Sequence, residues 1–345
     1  MLNTDRIDRM ITSIPKPVYM TAFMLFLLID AVGLNLASLL KKIEIFDIAA
    51  SYNSLTALYP PITKIAQDYI LVFLVLTVVL FAMLLYRPKV IMVKHISYAQ
   101  DVASVNQDIL KKYYVKKIDI NQYESMKSTE TILEAISEQD QTAKSILKSR
   151  KSANLCYYGI AHTPLIFRLG FFMGDQNNIM LLHKARTNGS LFDEWSNDNG
   201  YSTITPREAN EIVLSTELIV SISTSLKINE RDLASLNPEN KHILNFESNI
   251  ISFDSIMSYT QAENFRSTIM HGIRDCVKRY GIKKIHLVIS SSVAFTFFLG
   301  QALSAQHDPI TVVYHFEKGV YPWGICMNEN ADNALVVNIQ NTNAI

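Results

Sequence analysis

The sequence predicts a two-helix transmembrane segment followed by an α/β domain built as two Rossmann-like lobes. Three observations carry this. Two long apolar runs lie near the amino terminus, a strand–loop–helix pattern occurs twice in the second half, and about half of the 345 residues are apolar. A chain of this size and composition can bury a substantial core.

The first apolar run is Val18 to Leu40 and the second is Tyr69 to Tyr86, extendable back through Ile65. At ~1.5 Å per residue they reach about 34 and 27 Å, against a hydrocarbon thickness of ~30 Å. Spans near 18–40 and 65–86 are therefore expected within residues 1–90. The first run carries Asp30 and Asn35. A mid-membrane carboxylate must be neutral, paired or facing a wet protein interface, so these two are the expected membrane-coupling residues, by helix contact or helix rearrangement. Arg6, Arg9 and Lys16 precede the pair of spans, and Arg87, Lys89 and Lys94 follow it. Lys41, Lys42 and Lys64 lie between. That asymmetry places both termini and the carboxyl-terminal domain on the cytoplasmic side of the inner membrane.

Residues 91–150 read as a charged, largely helical connector. Thr129 to Ser149 places Ile132, Ile136, Ala143, Ile146 and Leu147 at approximately helical spacing.

Residues 151–345 hold the repeat. Leu155 to Gly170 overlies Ile285 to Gly300 without a gap, matching Phe167 with Phe297 and Gly170 with Gly300. Asn178 to Ala185 follows the first copy as Pro309 to Phe316 follows the second. Duplicated strand–loop–helix units imply a parallel sheet, because the helix must cross back over it. Glu217 to Ser223 and Leu335 to Ile339 are further strands. Glu263 to Gly281 is a helix whose stripe is Ile269, Ile273, Cys276 and Val277, with Lys278 and Arg279 in its last turn and Gly281 as the stop.

In open α/β sheets, ligands lie at the carboxyl ends of strands beside helix amino termini, where unpaired N–H groups and the helix dipole favour negative charge. That marks Gly159, Ala161, His162 and Thr163 in the first lobe and Ser290, Ser291 and Ser292 in the second. Lys184 and Arg186 follow the first lobe's second strand; His315 and Lys318 follow its counterpart. The basic members would neutralise phosphates, and Tyr321 or Trp323 would stack on a base. The bland alternatives are helix caps for the serines, a local turn contact for His162, and solvated charges or packed rings for the others.

Net charge is zero, with 32 basic and 32 acidic side chains. This removes the usual basis for non-specific binding to long nucleic acid. Cys156, Cys276 and Cys326 have neither metal-ligand nor redox spacing. No phosphate-loop, dinucleotide, zinc-protease or nucleophile-elbow motif is present. No catalytic residue and no metal site are expected, and binding is favoured over turnover.

Tyr157 to Gly170, Ile285 to Leu303 and Val312 to Trp323, in that order and separation, resemble the SAVED domain family. SAVED domains are related to two fused CARF domains, so the resemblance implies CARF-like lobes. It further implies a sensor of cyclic oligonucleotides in bacterial CBASS antiphage defence. The ligand would be a cyclic dinucleotide or cyclic trinucleotide made by a companion nucleotidyltransferase. With two spans ahead of the sensor, the chain looks like the transmembrane SAVED effector class. The implied output is homo-oligomerisation, disruption of the phospholipid bilayer and abortive infection. A membrane-bound enzyme cleaving a cyclic nucleotide, and a scaffold binding another protein, are the alternatives.

Overall fold

The computed structural model describes residues 77, 78, 81, 88–98, 104–122, 128–149, 154–174, 179–184, 191–195, 202–208, 213–328 and 336–338. Lys89–Ile345 forms one compact unit and Met1–Pro88 another.

The larger unit opens with β1 (Lys89–Ile96), α1 (Gln107–Lys112), β2 (Tyr114–Asn121) and α2 (Thr129–Ser149), then β3 (Asn154–Ile160), α3 (Thr163–Met173), β4 (Ile179–Lys184) and β5 (Phe192–Glu194). The chain continues through β6 (Ile204–Glu208), β7 (Glu217–Ser223), β8 (His242–Ser248), α4 (Tyr259–Tyr280), β9 (Lys284–Ser290) and α5 (Val293–Gly300). It closes with β10 (Ile310–Glu317), β11 (Val320–Cys326) and β12 (Val336–Asn338). A five-stranded sheet has the order β2-β1-β3-β4-β5 and a seven-stranded sheet the order β12-β11-β10-β9-β7-β8-β6. The strands β2-β1-β3-β4 and β10-β9-β7-β8 run parallel, with antiparallel strands added outside them. Residues 89–121 thus supply two strands to the sheet containing β3.

The expected pair of Rossmann-like, CARF-like lobes is corrected to a single mixed α/β domain with two sheets. The reason is a shared core. One hydrophobic cluster runs from Ile91 and Val93 on β1 through Leu165, Phe167 and Phe297 to Val313 and Ile325. Each central helix also crosses to the other sheet: α3 touches β10 and β11, while α5 touches β3 and β4. In α5, VAFTFFLG, every residue from Ala294 to Gly300 is buried, as a helix enclosed on all sides requires.

Gly170 and Gly300 make that crossing possible. A Cβ on Gly170 would stand 2.1 Å from Phe297 O, and one on Gly300 would stand 2.3 Å from Phe167 O. The matched positions of the sequence repeat therefore meet reciprocally, each glycine against the other helix's backbone.

The membrane reading is also corrected. Among the described residues no helix is long and apolar enough to cross a membrane. The two long helices have the length but not the surface. Glu130, Glu134, Glu138, Asp140, Lys144 and Lys148 stud α2, and α4 carries six charged residues including Glu263, Asp275 and Arg279. The expected spans 18–40 and 65–86 lie outside the described residues except for Thr77, Val78 and Phe81, and Asp30 and Asn35 lie outside them entirely. The transmembrane segment, the bilayer as partner, the multi-pass inner-membrane location and the membrane-disrupting output are therefore withdrawn, since no described element carries them.

Candidate functional site

Two strand-to-helix corners lie at the carboxyl ends of the central strands, and they are built alike. At the first, the backbone N–H groups of Ser97 and Tyr98 both donate to Ile160 O, at 3.1 and 3.3 Å. At the second, those of Thr224 and Ser225 both donate to Ser290 O, at 2.9 and 3.0 Å. In each case the chain leaving β1 or β7 folds over the last residue of β3 or β9. A hydroxyl side chain then stitches the corner. Ser97 Oγ accepts from His162 N at 2.7 Å and lies 2.8 Å from His162 Nδ1, whereas Thr224 Oγ1 donates to Ser291 Oγ at 2.7 Å.

His162 and Ser292 are the N-caps of α3 and α5. Ser292 Oγ accepts from Phe295 N at 3.3 Å, a side-chain cap that relieves one orphan donor of the first turn. His162 makes no such cap, and Pro164 stands in the first turn of α3. Its ring points elsewhere. It meets the His315 ring at 4.6 Å and the Trp323 ring at 5.9 Å, centroid to centroid, with His315 and Trp323 5.2 Å apart. Tyr98, largely exposed, borders His162 at 5.4 Å. β10 and β11 supply His315 and Trp323 as directly opposed residues of an antiparallel pair. This cluster joins the first corner to the second sheet.

Burial sets the charge state of the cluster. It pushes His162 down to about 3, aided by neighbouring His315 and His95. It pushes His315 down to about 4, against the pull of Glu317. Both rings are neutral at physiological pH, so the cluster offers hydrogen bonds and aromatic faces. Beneath it, His95 is fully buried, with Nδ1 3.0 Å from Tyr157 Oη and Nε2 3.1 Å from Gln122 Oε1.

The other expected residues fall in several places. Gly159 lies inside the first sheet, in register with His95, where a Cβ would stand 1.9 Å from His95 O. Thr163 opens α3. Ser290 Oγ accepts from Leu226 N at 3.0 Å and shapes the loop after β7. Lys184 is half-buried at the end of β4, and Arg186 lies outside the described residues. Lys318 occupies the β10–β11 turn at φ 50°, its exposed ammonium 3.2 Å from Glu317 Oε1. Tyr321 and Trp323 are parted by an irregularity between His315 and Glu317. Tyr321 packs near Tyr314 and Phe316, while Trp323 joins the main core.

Ser97, Tyr98 and Thr224 were missed by sequence reasoning. Their signal is faint: an apolar strand ending in Ser or Thr, in HIS at 95–97 and IST at 222–224. Among the described residues there is no group of three or more side chains able to hold a metal ion.

Comparison with curated proteins finds no match. Among solved structures, the chain is similar to the Cap4 SAVED/CARF-domain containing receptor of Acinetobacter baumannii with the cyclic trinucleotide 2′3′3′-cAAA, at 19% identity and a TM-score of 0.49, covering 72% of this chain and 53% of the receptor. The same receptor with 3′3′3′-cAAA gives 19% identity, a TM-score of 0.49, and coverage of 70% and 51%. The Cap4 SAVED/CARF-domain containing receptor of Moraxella osloensis gives 18%, 0.42, 70% and 49%. The chain thus spans about half the length of these receptors. The narrower expectation, a transmembrane member made of fused double CARF lobes, is set aside with the corrections above. Residues 138–327, which contain α3, α5, the second corner, His162, His315 and Trp323, match the SMODS-associated and fused to various effectors sensor domain, and the chain belongs to this SAVED family.

Proposed function

We propose that the chain is a receptor that binds a cyclic dinucleotide or cyclic trinucleotide at the carboxyl ends of its two parallel strand sets, without turnover. The observation that supports this most is the meeting of His162 from one sheet's corner with His315 and Trp323 from the other sheet. A neutral, half-polar, aromatic cluster bordered by the exposed Tyr98 suits a nucleobase, because stacking tolerates any base and ring nitrogens supply hydrogen bonds. The two helix amino termini beside it suit phosphodiesters. Ser290, Ser291, Ser292, Thr163 and Gly159 frame the corners; Lys184 ends β4 and Lys318 directly follows β10, Arg186 is the basic residue two positions beyond Lys184 in the sequence, and Tyr321 is the outlying member of the set.

The wiring of His162 supports binding without turnover. His162 Nδ1 is engaged by the Ser97 hydroxyl rather than by a carboxylate, so it lacks the orienting acid of a general base. Calorimetric titration of the full chain with cyclic di- and trinucleotides, including 2′3′3′-cAAA, tests the reading. Saturable binding that falls at least about tenfold in Trp323→Ala is expected. A folded wild-type chain that binds none of them sinks it. Chromatography of the same mixtures should show only intact rings, and linear products would overturn the non-enzymatic part.

A further inference from the structure

A second joint between the sheets lies at the other corner. His183, the penultimate residue of β4, reaches Asp254, which sits in the loop after β8. That loop is tied to the second corner by Ser252 N donating to Thr224 O at 3.0 Å, and its far end is held by Ser202 Oγ donating to Ser255 O at 2.6 Å. His183 thus links the first sheet to the second corner, much as His315 links the second sheet to the first corner. In the sequence repeat, the segment containing His183 matches the one containing His315.

This joint is poorly made. His183 Nε2 and Asp254 Oδ1 are 3.5 Å apart, an ion-pair distance whose alignment leaves Nε2 without a hydrogen bond. Trp195 Nε1 is also buried without a partner. His183 is 6% and Trp195 9% exposed, so water does not compensate them. The two are close. His183 pairs with Asp193 across β4 and β5, and Trp195 directly follows β5, two residues beyond Asp193, which by strand alternation is the face of His183. Buried polar atoms are almost always satisfied, and unmet ones next to each other mark a place where a partner is missing. The chemistry of that partner is constrained. The indole N–H donates only, His183 Nε2 facing a carboxylate carries its proton, and Asp254 accepts. The carboxylate repels a phosphate, and together with the two donors it fits the edge of a base that presents an amine beside a lone-pair atom.

We propose that His183, Trp195 and Asp254 form a base-recognition point of the ligand site. The exocyclic amine of an amino-bearing nucleobase donates to Asp254, and the adjacent ring nitrogen or carbonyl accepts from His183 or Trp195. The ligand replaces the weak His183–Asp254 contact. This rests on the receptor reading above and deepens it by naming a specificity-determining set.

The test uses the full chain and a panel of cyclic di- and trinucleotides of A, G, C and U, with the tightest binder taken forward. Trp195→Phe keeps the ring and removes the donor; Asp254→Asn keeps the shape and removes the carboxylate. Each should weaken that ligand about five- to hundredfold, the range for loss of a paired base contact, while the ligand-free variants keep the folded circular dichroism spectrum. Rings built only of U should bind worst. Wild-type binding with both folded variants within twofold of it overturns this point and leaves the receptor reading standing. Failure of the wild type to bind any of the panel overturns the receptor reading itself.

Discussion

Gly170→Ala tests the claim that the two sheets share one core through backbone contact. The added methyl would stand 2.1 Å from Phe297 O, well inside the 3.0 Å that real Cβ contacts respect. Helices α3 and α5 must therefore part by about 1 Å, loosening Phe167, Phe297 and Leu299 in the common cluster. Overpacking of this kind costs about 1–3 kcal/mol. For a domain of this size each kcal/mol lowers the melting temperature by roughly 2–4 °C, so a fall of roughly 2–12 °C is expected by calorimetry or circular dichroism. Gly300→Ala should do the same, since its methyl would meet Phe167 O at 2.3 Å. The double variant should lose less than the sum, because one separation of the helices relieves both clashes. Single variants as stable as wild type would show that the helices do not touch in this way, and the single-core account would fall.

Acid should destabilise the domain well before its carboxylates protonate. His95, His162, His286 and His315 are held near 4, 3, 4 and 4, below an ordinary value of 6.5, first of all by burial. Between those values the unfolded chain binds more protons than the folded one. Stability is therefore full above about pH 6.5 and declines as pH falls toward 4, by up to ~1.4 kcal/mol per pH unit for each histidine. Urea midpoints that stay level from pH 7.5 to 5 would contradict this. Arg168→Met should cost about 2–4 kcal/mol, because Asp140, bonded to Arg168 Nε and Nη2 at 3.2 and 2.8 Å, would be left partly buried with its charge unpaired. Pairing it with Asp140→Leu should recover much of the loss, and a double variant worse than the single would refute the explanation. Ser97→Ala should lower ligand affinity severalfold by releasing the His162 ring, with His162→Ala at least as severe; equal affinity in both folded variants would place His162 outside the site.

Local patterns were legible from the residues. The strand–loop–helix copies, the stripe of α4 and its Gly281 stop appear where periodicity puts them, with Gly281 at φ 64° in the left-handed region as a C-cap. The expected helix at Thr129 to Ser149 is α2, with Ile132, Ile136, Ala143 and Ile146 buried. What failed was the step from repeat to architecture. Matching segments suggested two lobes, but a one-dimensional pattern does not say whose core a hydrophobic helix fills. The uniformly apolar α5 carries no directional face and so no statement of its partner.

The sequence alone carried the resemblance to the SAVED family, though in a transmembrane, double-lobed form that is corrected above, and it marked the two strand-to-helix turns and the residues His162, Ser290, Ser291, Ser292, His315 and Trp323 as ones to place. Hydrogen bonds between neighbours and the period of a strand or helix are local, and local chemistry is written in order along the chain. Only the tertiary structure decided that His162 meets His315 and Trp323, that Tyr321 faces away from them, and that His183 reaches Asp254. Those contacts join residues 71 to 161 positions apart. They depend on how two glycines let two helices close against each other, a distance no composition or spacing encodes.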